Sequence, residues 1–258
     1  MQPEEGLGGG KLRLRFGSMT DARRLLLFST STVFGTGYLD HGEDEIRDFL
    51  GARLRLLFVP FALKDQDGYA ARARERFGRM GYALESLHDA PDMREALTKA
   101  EALFVGGGNT FRLLKSLYDF ELLPVIRERV DVGMPYIGSS AGSNVAGPTI
   151  RTTNDMPIAE PPSFAALALV GFQINPHYVD SDPHSTHMGE TREERILQFH
   201  EENETPVVGL REGAMLRVEN GSCQLKGSAA ARIFRQGCVP VEVQPDTNIS
   251  DLLSAPVR

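Results

Sequence analysis

The sequence lacks what would tie it to a membrane, a nucleic acid or an oxidising compartment. Its net charge is −7 and no basic block offsets the acidic excess, which argues against a nucleic-acid or anionic-membrane partner. No apolar run approaches the roughly 18 residues of a membrane span. Two cysteines, Cys223 and Cys238, come late in the chain; they make no disulfide framework and read as small core or surface residues. Glu4 and Glu5 stand where a secretory signal needs basic residues, and no apolar stretch follows them. Repeats, low-complexity tracts and long linkers are missing too. The cytosol is therefore the expected compartment.

What is present is an ordinary globular composition, 41% hydrophobic and 24% charged, over 258 residues. That length suits one large α/β domain or two small ones and is ample for a sizeable core. Residues 1–20 are Gly-rich and polar and read as a flexible extension, with Met19 as an alternative start; a single domain is expected over 21–258. Short apolar runs then alternate with helical patterns. Strands are expected at 24–28, 54–60, 102–105 and 135–137, and helices at 67–80, 92–100, 110–118 and 122–130. This is the signature of parallel βαβ units whose sheet is buried on both faces. A strand over 169–175 and a helix over 192–201 follow. Further strands are expected at 206–210, 214–219, 223–226 and 231–234, and Asn220-Gly221 is a strong hairpin signal.

The stretch "YIGSSAGSNVAG" holds the first chemical clue. An apolar strand runs into Gly138-Ser139-Ser140-Ala141-Gly142 and then a helix, and glycines flank Ser140 two residues to either side. That is the pattern of a nucleophile elbow, which pushes a serine out over the end of a sheet. A plain turn would use the same residues. A serine nucleophile needs a histidine base and a group to orient it. Of six histidines, His177 in "INPHYVD" ends a predicted strand, where open α/β sheets collect their sites. Asp155 lies between the two, giving the order Ser…Asp…His of α/β-hydrolases, although the three are closer together than in that fold. Glu160, Asp180 or Asp182 could orient His177 instead. The amide of Ala141 is a natural oxyanion donor, and a second can come from Gly106-Gly107-Gly108, which links a strand to a helix. A phosphate loop is the competing reading of those glycines, but the residues that such a loop requires do not follow.

Together "FVGGGNTFRLLK", "YIGSSAGSNVAGPTIRTTNDMPI", "INPHY" and "GETREERI" resemble peptidase E, the α-aspartyl dipeptidase family of serine peptidases, from about Leu25 to past Glu212. The resemblance implies a flavodoxin-like, mostly parallel sheet with helices on both faces, like that of class I glutamine amidotransferases, with a C-terminal β-hairpin region. It implies a catalytic set of Ser140, Asp155 and His177, with oxyanion donors at the amides of Gly108 and Ala141. It also implies hydrolysis of small peptides with an N-terminal aspartate, without metal or cofactor. Ser139 departs from the family pattern, where a larger residue is usual, and Ser143 stands where alanine is common. Val179, two residues after His177, argues against the His-x-Glu pair of a glutaminase.

Further residues carry double meanings. Asn109 caps the helix that starts at Thr110, or bonds substrate, or both. Thr191 and Glu194 form a capping box, which leaves Arg192 in the first turn, where the helix dipole disfavours a cation. An arginine there is an anion receptor. The resemblance likewise assigns it, with Glu190, to substrate recognition; the plain reading is a hydrated arginine paired loosely with Glu190, and Arg151 is the next candidate cation. His184 and His187 are conceivable metal ligands but read as solvated loop residues. Two more functions stand beside the dipeptidase: an esterase of α/β-hydrolase type, and a non-catalytic binding protein. The expected partner is a small peptide, and the expected state a monomer or small homo-oligomer.

Overall fold

The computed structural model describes residues 22–51, 55–182, 184, 186 and 188–254. The extension expected over 1–20, the alternative start at Met19 and His187 lie outside them. In chain order the elements are β1 (Leu25–Phe28), α1 (Glu43–Leu50), β2 (Arg55–Val59), α2 (Gln66–Arg79), β3 (Ala83–Ser86), α3 (Met93–Lys99), β4 (Ala102–Val105), α4 (Thr110–Asp119), α5 (Leu123–Asp131), β5 (Tyr136–Ser139) and α6 (Ala141–Asn144). There follow β6 (Gln173–Pro176), α7 (Arg192–Glu202), β7 (Val207–Leu210), β8 (Ala214–Glu219), β9 (Ser222–Gly227), β10 (Ala231–Phe234) and β11 (Val241–Val243).

Seven strands form the main sheet in the order β3-β2-β4-β5-β1-β8-β9, the first five parallel and β8 and β9 antiparallel. Its central strands are apolar at nearly every position because both faces are covered. Leu25, Leu27, Leu57, Val59, Leu103 and Val105 pack toward α3, α4 and α5. Their chain neighbours Leu26, Phe28, Leu56, Phe58 and Phe104 pack toward α1 and α2. The alternation predicts a parallel sheet covered on both faces, and the family resemblance implies the flavodoxin-like form that it takes. The β8–β9 hairpin turns at Asn220-Gly221, both at positive φ (53° and 71°), as the Asn-Gly signal requires.

The C-terminal strands do more than form a hairpin. β6, β7, β10 and β11 make a separate four-stranded sheet, order β11-β10-β7-β6. In it β6 and β7 run parallel, with Pro176 opposite Leu210. The loop from 149 to 154 is laced along β6: Thr152 Oγ1 donates to Ile174 O, Asn175 Nδ2 to Thr152 O, and Asn154 Nδ2 to Pro176 O. The two ends that matter therefore converge. β1, β4 and β5 deliver their C-terminal ends at one edge of the main sheet, and β6 and β7 deliver theirs beside them. Cys223 is buried, which pushes its thiol up to about 12, and Cys238 is exposed; neither is in a disulfide. No helix among the described residues is long and apolar enough to cross a membrane.

Candidate active site

Ser140 is the residue between β5 and α6, at φ 52° and ψ −107°. The glycines around it serve close approach, and the serine itself takes the strained backbone. A Cβ on Gly138 would lie 2.6 Å from Gly142 O, and one on Gly142 would lie 2.1 Å from Val105 O. The bend is tied down on the β1 side. Ser140 N–H and Ser143 Oγ both donate to Phe28 O, at 3.0 and 2.6 Å. Tyr136 Oη, whose burial raises its pKa, donates to Gly142 O at 2.6 Å. The two serines are thereby told apart: Ser139 is buried in the core, its hydroxyl unpartnered among the described residues, whereas Ser140 Oγ faces a histidine.

That histidine is His177, the residue after β6, also at positive φ (53°). Ser29, which follows β1, fixes its backbone: His177 N–H donates to Ser29 Oγ at 3.0 Å, and Ser29 Oγ donates to Leu210 O at 2.6 Å. The ring then spans two partners, with Nε2 2.9 Å from Ser140 Oγ and Nδ1 2.8 Å from Glu212 Oε1. A carboxylate can only accept, so Nδ1 carries the proton and Nε2 presents its lone pair to the serine hydroxyl.

The carboxylate on His177 is thus Glu212 and not Asp155. Pairing of Pro176 with Leu210 places the residues after β6 and after β7 side by side, which brings Glu212 to the ring. Asp155 lies against the start of α4, where its Oδ2 accepts from Thr110 N–H at 2.7 Å and from Thr110 Oγ1 at 2.6 Å. Unsatisfied amides and the positive end of a helix attract a carboxylate there. Asp180, Asp182 and Glu160 do not reach the ring. Asp180 forms a bidentate pair with Arg211, which holds its carboxyl below the usual range. Asp182 accepts from the His184 amide, and Glu160 is exposed. Glu212 and Ser29 are the two partners of His177 that the motifs did not single out. Both follow strand ends, and Glu212 sits in "GLREGA" at the same kind of position that pointed to His177.

The glycine loop runs beside the elbow, and a Cβ on Gly107 would come within 3.0 Å of Ser140 Cβ. Gly106 N–H donates to Val59 O and Gly107 N–H to Tyr69 Oη, which leaves the Gly108 amide without an acceptor among the described residues. Gly108 has φ 132°, and a Cβ there would lie 2.7 Å from Ala62 O, so the position demands glycine. The Ala141 amide likewise has no acceptor among the described residues. Ser140, Asp155, His177, Gly107, Gly108, Thr30, Ser31, Tyr38, Leu63, Tyr69 and Arg72 line a pocket of about 410 Å³. That is within the range of small-molecule sites. A depression of about 380 Å³ near Leu57, Ser86 and Glu95 contains none of these groups.

Arg192 opens α7 behind a complete capping box, with Thr191 Oγ1 accepting from Glu194 N–H and Glu194 accepting from Thr191 N–H. It lines an adjoining depression with Val179, Asp180 and Glu190. Burial lowers its pKa first and the like charge of Arg195 second, while the Asp155 carboxylate acts in the opposite sense. Glu190 is engaged by Gln198 Nε2 at 2.9 Å and by Arg195 at 3.6 Å. Asn109 caps α4 through Oδ1 and donates Nδ2 to Met156 O, so both ends of its amide are used within the protein. Arg151 pairs with Asn203. His184 is exposed, and its expected partner ligand His187 lies outside the described residues.

Comparison with known proteins gives one consistent picture. The model of peptidase family S51 matches residues 25–226. "Peptidase E" of Streptomyces coelicolor is 53% identical over 229 residues, covering 89% of this chain and 94% of that one. "Probable alpha-aspartyl dipeptidase" of Drosophila melanogaster is 49% identical, covering 91% and 99%. Among solved structures, a peptidase from an acI-B1 Actinobacterium superposes with a TM-score of 0.67 over 88% of this chain and 96% of that one; at 17% identity it bears on the fold alone.

Proposed function

Because the chain belongs to peptidase family S51 and is a peptidase, we propose that it is a serine dipeptidase that hydrolyses dipeptides with an N-terminal aspartate. The observation that carries the reading is the line Ser140 Oγ–His177–Glu212, with links of 2.9 and 2.8 Å. Ser140 attacks the peptide carbonyl while His177 Nε2 takes the hydroxyl proton. The negative oxygen of the tetrahedral intermediate is held by the free amides of Gly108 and Ala141. The C–N bond breaks as His177 returns the proton to the leaving amine, which leaves an aspartyl ester on Ser140. Water, deprotonated by His177, then hydrolyses that ester. Glu212 keeps the imidazole in the required tautomer and balances its charge when it is protonated. No step calls for a metal or a cofactor.

The anionic and cationic ends of the substrate have matching groups. Arg192 offers a planar fork for the aspartate side chain. Asp155, whose Oδ2 is held by Thr110, faces the Ser140 pocket and is the receptor for the α-ammonium group. The test is kcat/KM for Asp-Leu and Asn-Leu in wild type and Arg192→Met, which keeps most of the apolar stem. Loss of the charged contact lowers Asp-Leu cleavage by about thirty- to a thousand-fold, on the order of 2–4 kcal/mol, and Asn-Leu cleavage far less. An unchanged Asp/Asn ratio would remove Arg192 from the pocket. A broad ester-hydrolysis profile without preference for aspartate would instead support the esterase.

A further inference from the structure

We infer that Arg72 binds the C-terminal carboxylate of the dipeptide and so forms a second anion subsite, on the leaving-residue side of Ser140. The inference rests on the dipeptidase reading above. Arginines elsewhere in the protein are engaged internally: Arg211 by Asp180 and Glu242, Arg217 by Glu45, Asp48 and Glu219, and Arg127 by the carbonyls of Ala166 and Leu167. Among the described residues, Arg72 and Arg192 are the two arginines whose guanidinium meets neither a carboxylate nor a hydrogen-bond acceptor of the protein. Arg72 lines the Ser140 pocket, and Arg192 the depression beside it. An Asp-X dipeptide carries two carboxylates, one on its side chain and one at its C-terminus.

The setting of Arg72 fits the second. It projects from α2 into the pocket that holds Ser140. Its guanidinium lies 5.4 Å from the ring centre of Tyr69 and 5.8 Å from that of Tyr38. Aromatic contact steadies the cation without consuming its N–H groups, which stay free for a bidentate carboxylate. Tyr69 also accepts from Gly107 N–H at 2.8 Å, so one ring supports both the cation and the glycine corner beside the oxyanion donors. In a dipeptide the terminal carboxylate belongs to the residue just beyond the scissile bond, so its receptor must share a pocket with the nucleophile. In a longer peptide a neutral amide would occupy that place, and Arg72 thereby selects for dipeptides.

The experiment compares kcat/KM for Asp-Leu and for Asp-Leu amide, which lacks the terminal charge, in wild type, Arg72→Met and Arg72→Lys. Arg72→Met is expected to lower Asp-Leu cleavage by about ten- to thirtyfold, chiefly through KM, and to leave the amide within about twofold. Arg72→Lys should restore part of the loss. Equal losses on both substrates would show that Arg72 only positions Tyr69 and the Gly107 corner, and would overturn the inference, as would no loss on either. A folded wild-type protein that cleaves neither substrate overturns the dipeptidase reading, and this inference with it. A wild type that cleaves both, at a ratio unmoved by Arg72→Met, overturns this inference alone.

Discussion

Ser140 and His177 both hold positive φ, at 52° and 53°, a conformation that costs a residue with a Cβ about 1–3 kcal/mol. The surrounding hydrogen bonds hold that strain: Phe28 O on the serine side, Ser29 and Leu210 on the histidine side. The carboxylates separate at this scale by what they touch. Glu212→Gln removes the negative charge from His177 Nδ1 and should lower kcat by about 100-fold or more with a modest change in KM. Asp155→Asn keeps an oxygen for Thr110 and should act mainly through KM for substrates with a free α-amine. Steady-state kinetics on Asp-Leu check both; the reverse split would return Asp155 to His177. Ser140 and His177 were legible because glycine spacing and a strand end mark them. Glu212 was not, because "REG" reads as an ordinary charged turn, and what puts it at the ring is the pairing of β6 with β7.

At the scale of the elements, the elbow depends on how closely β5, α6 and β4 approach. Gly142→Ala places a Cβ 2.1 Å from Val105 O, a backbone atom of a central strand that cannot step aside. The substitution should destabilise the protein by about 1–3 kcal/mol or more and reduce turnover together with it. A thermal melt at wild-type Tm would mean that the elbow is looser than this packing implies. The parallel strands of the main sheet were readable as buried apolar runs, and the helices between them as amphipathic stretches. Two short strands and one helix escaped. β3 buries only alternate residues of "ALES", too little pattern for a strand, and β11 has an exposed "VE" pair. α1 lies in "EDEIRDFL", whose buried Ile46, Phe49 and Leu50 follow helical spacing and could have been read.

Taken as a whole, the molecule is two sheets whose strand ends meet over one pocket. The proposed nucleophile, Ser140, follows a strand of the main sheet, and His177 and Glu212 follow strands of the smaller one. That division was not visible in the chain, because strand partnership between β6, β7, β10 and β11 is decided by long-range pairing and not by local pattern. It explains why residues far apart in the sequence, Ser29, Ser140, His177 and Glu212, meet in one hydrogen-bonded group. In the proposed mechanism Ser140, served by His177, carries the acyl group. This assignment is tested most directly by quenching the enzyme in acid during turnover of an aspartyl ester or Asp-Leu and mapping the adduct by peptide mass spectrometry. An aspartyl ester is expected on the peptide that contains Ser140, absent in Ser140→Ala along with a loss of turnover of several powers of ten, while Ser139→Ala retains both adduct and activity. An adduct on another residue, or sustained turnover in Ser140→Ala, would contradict it.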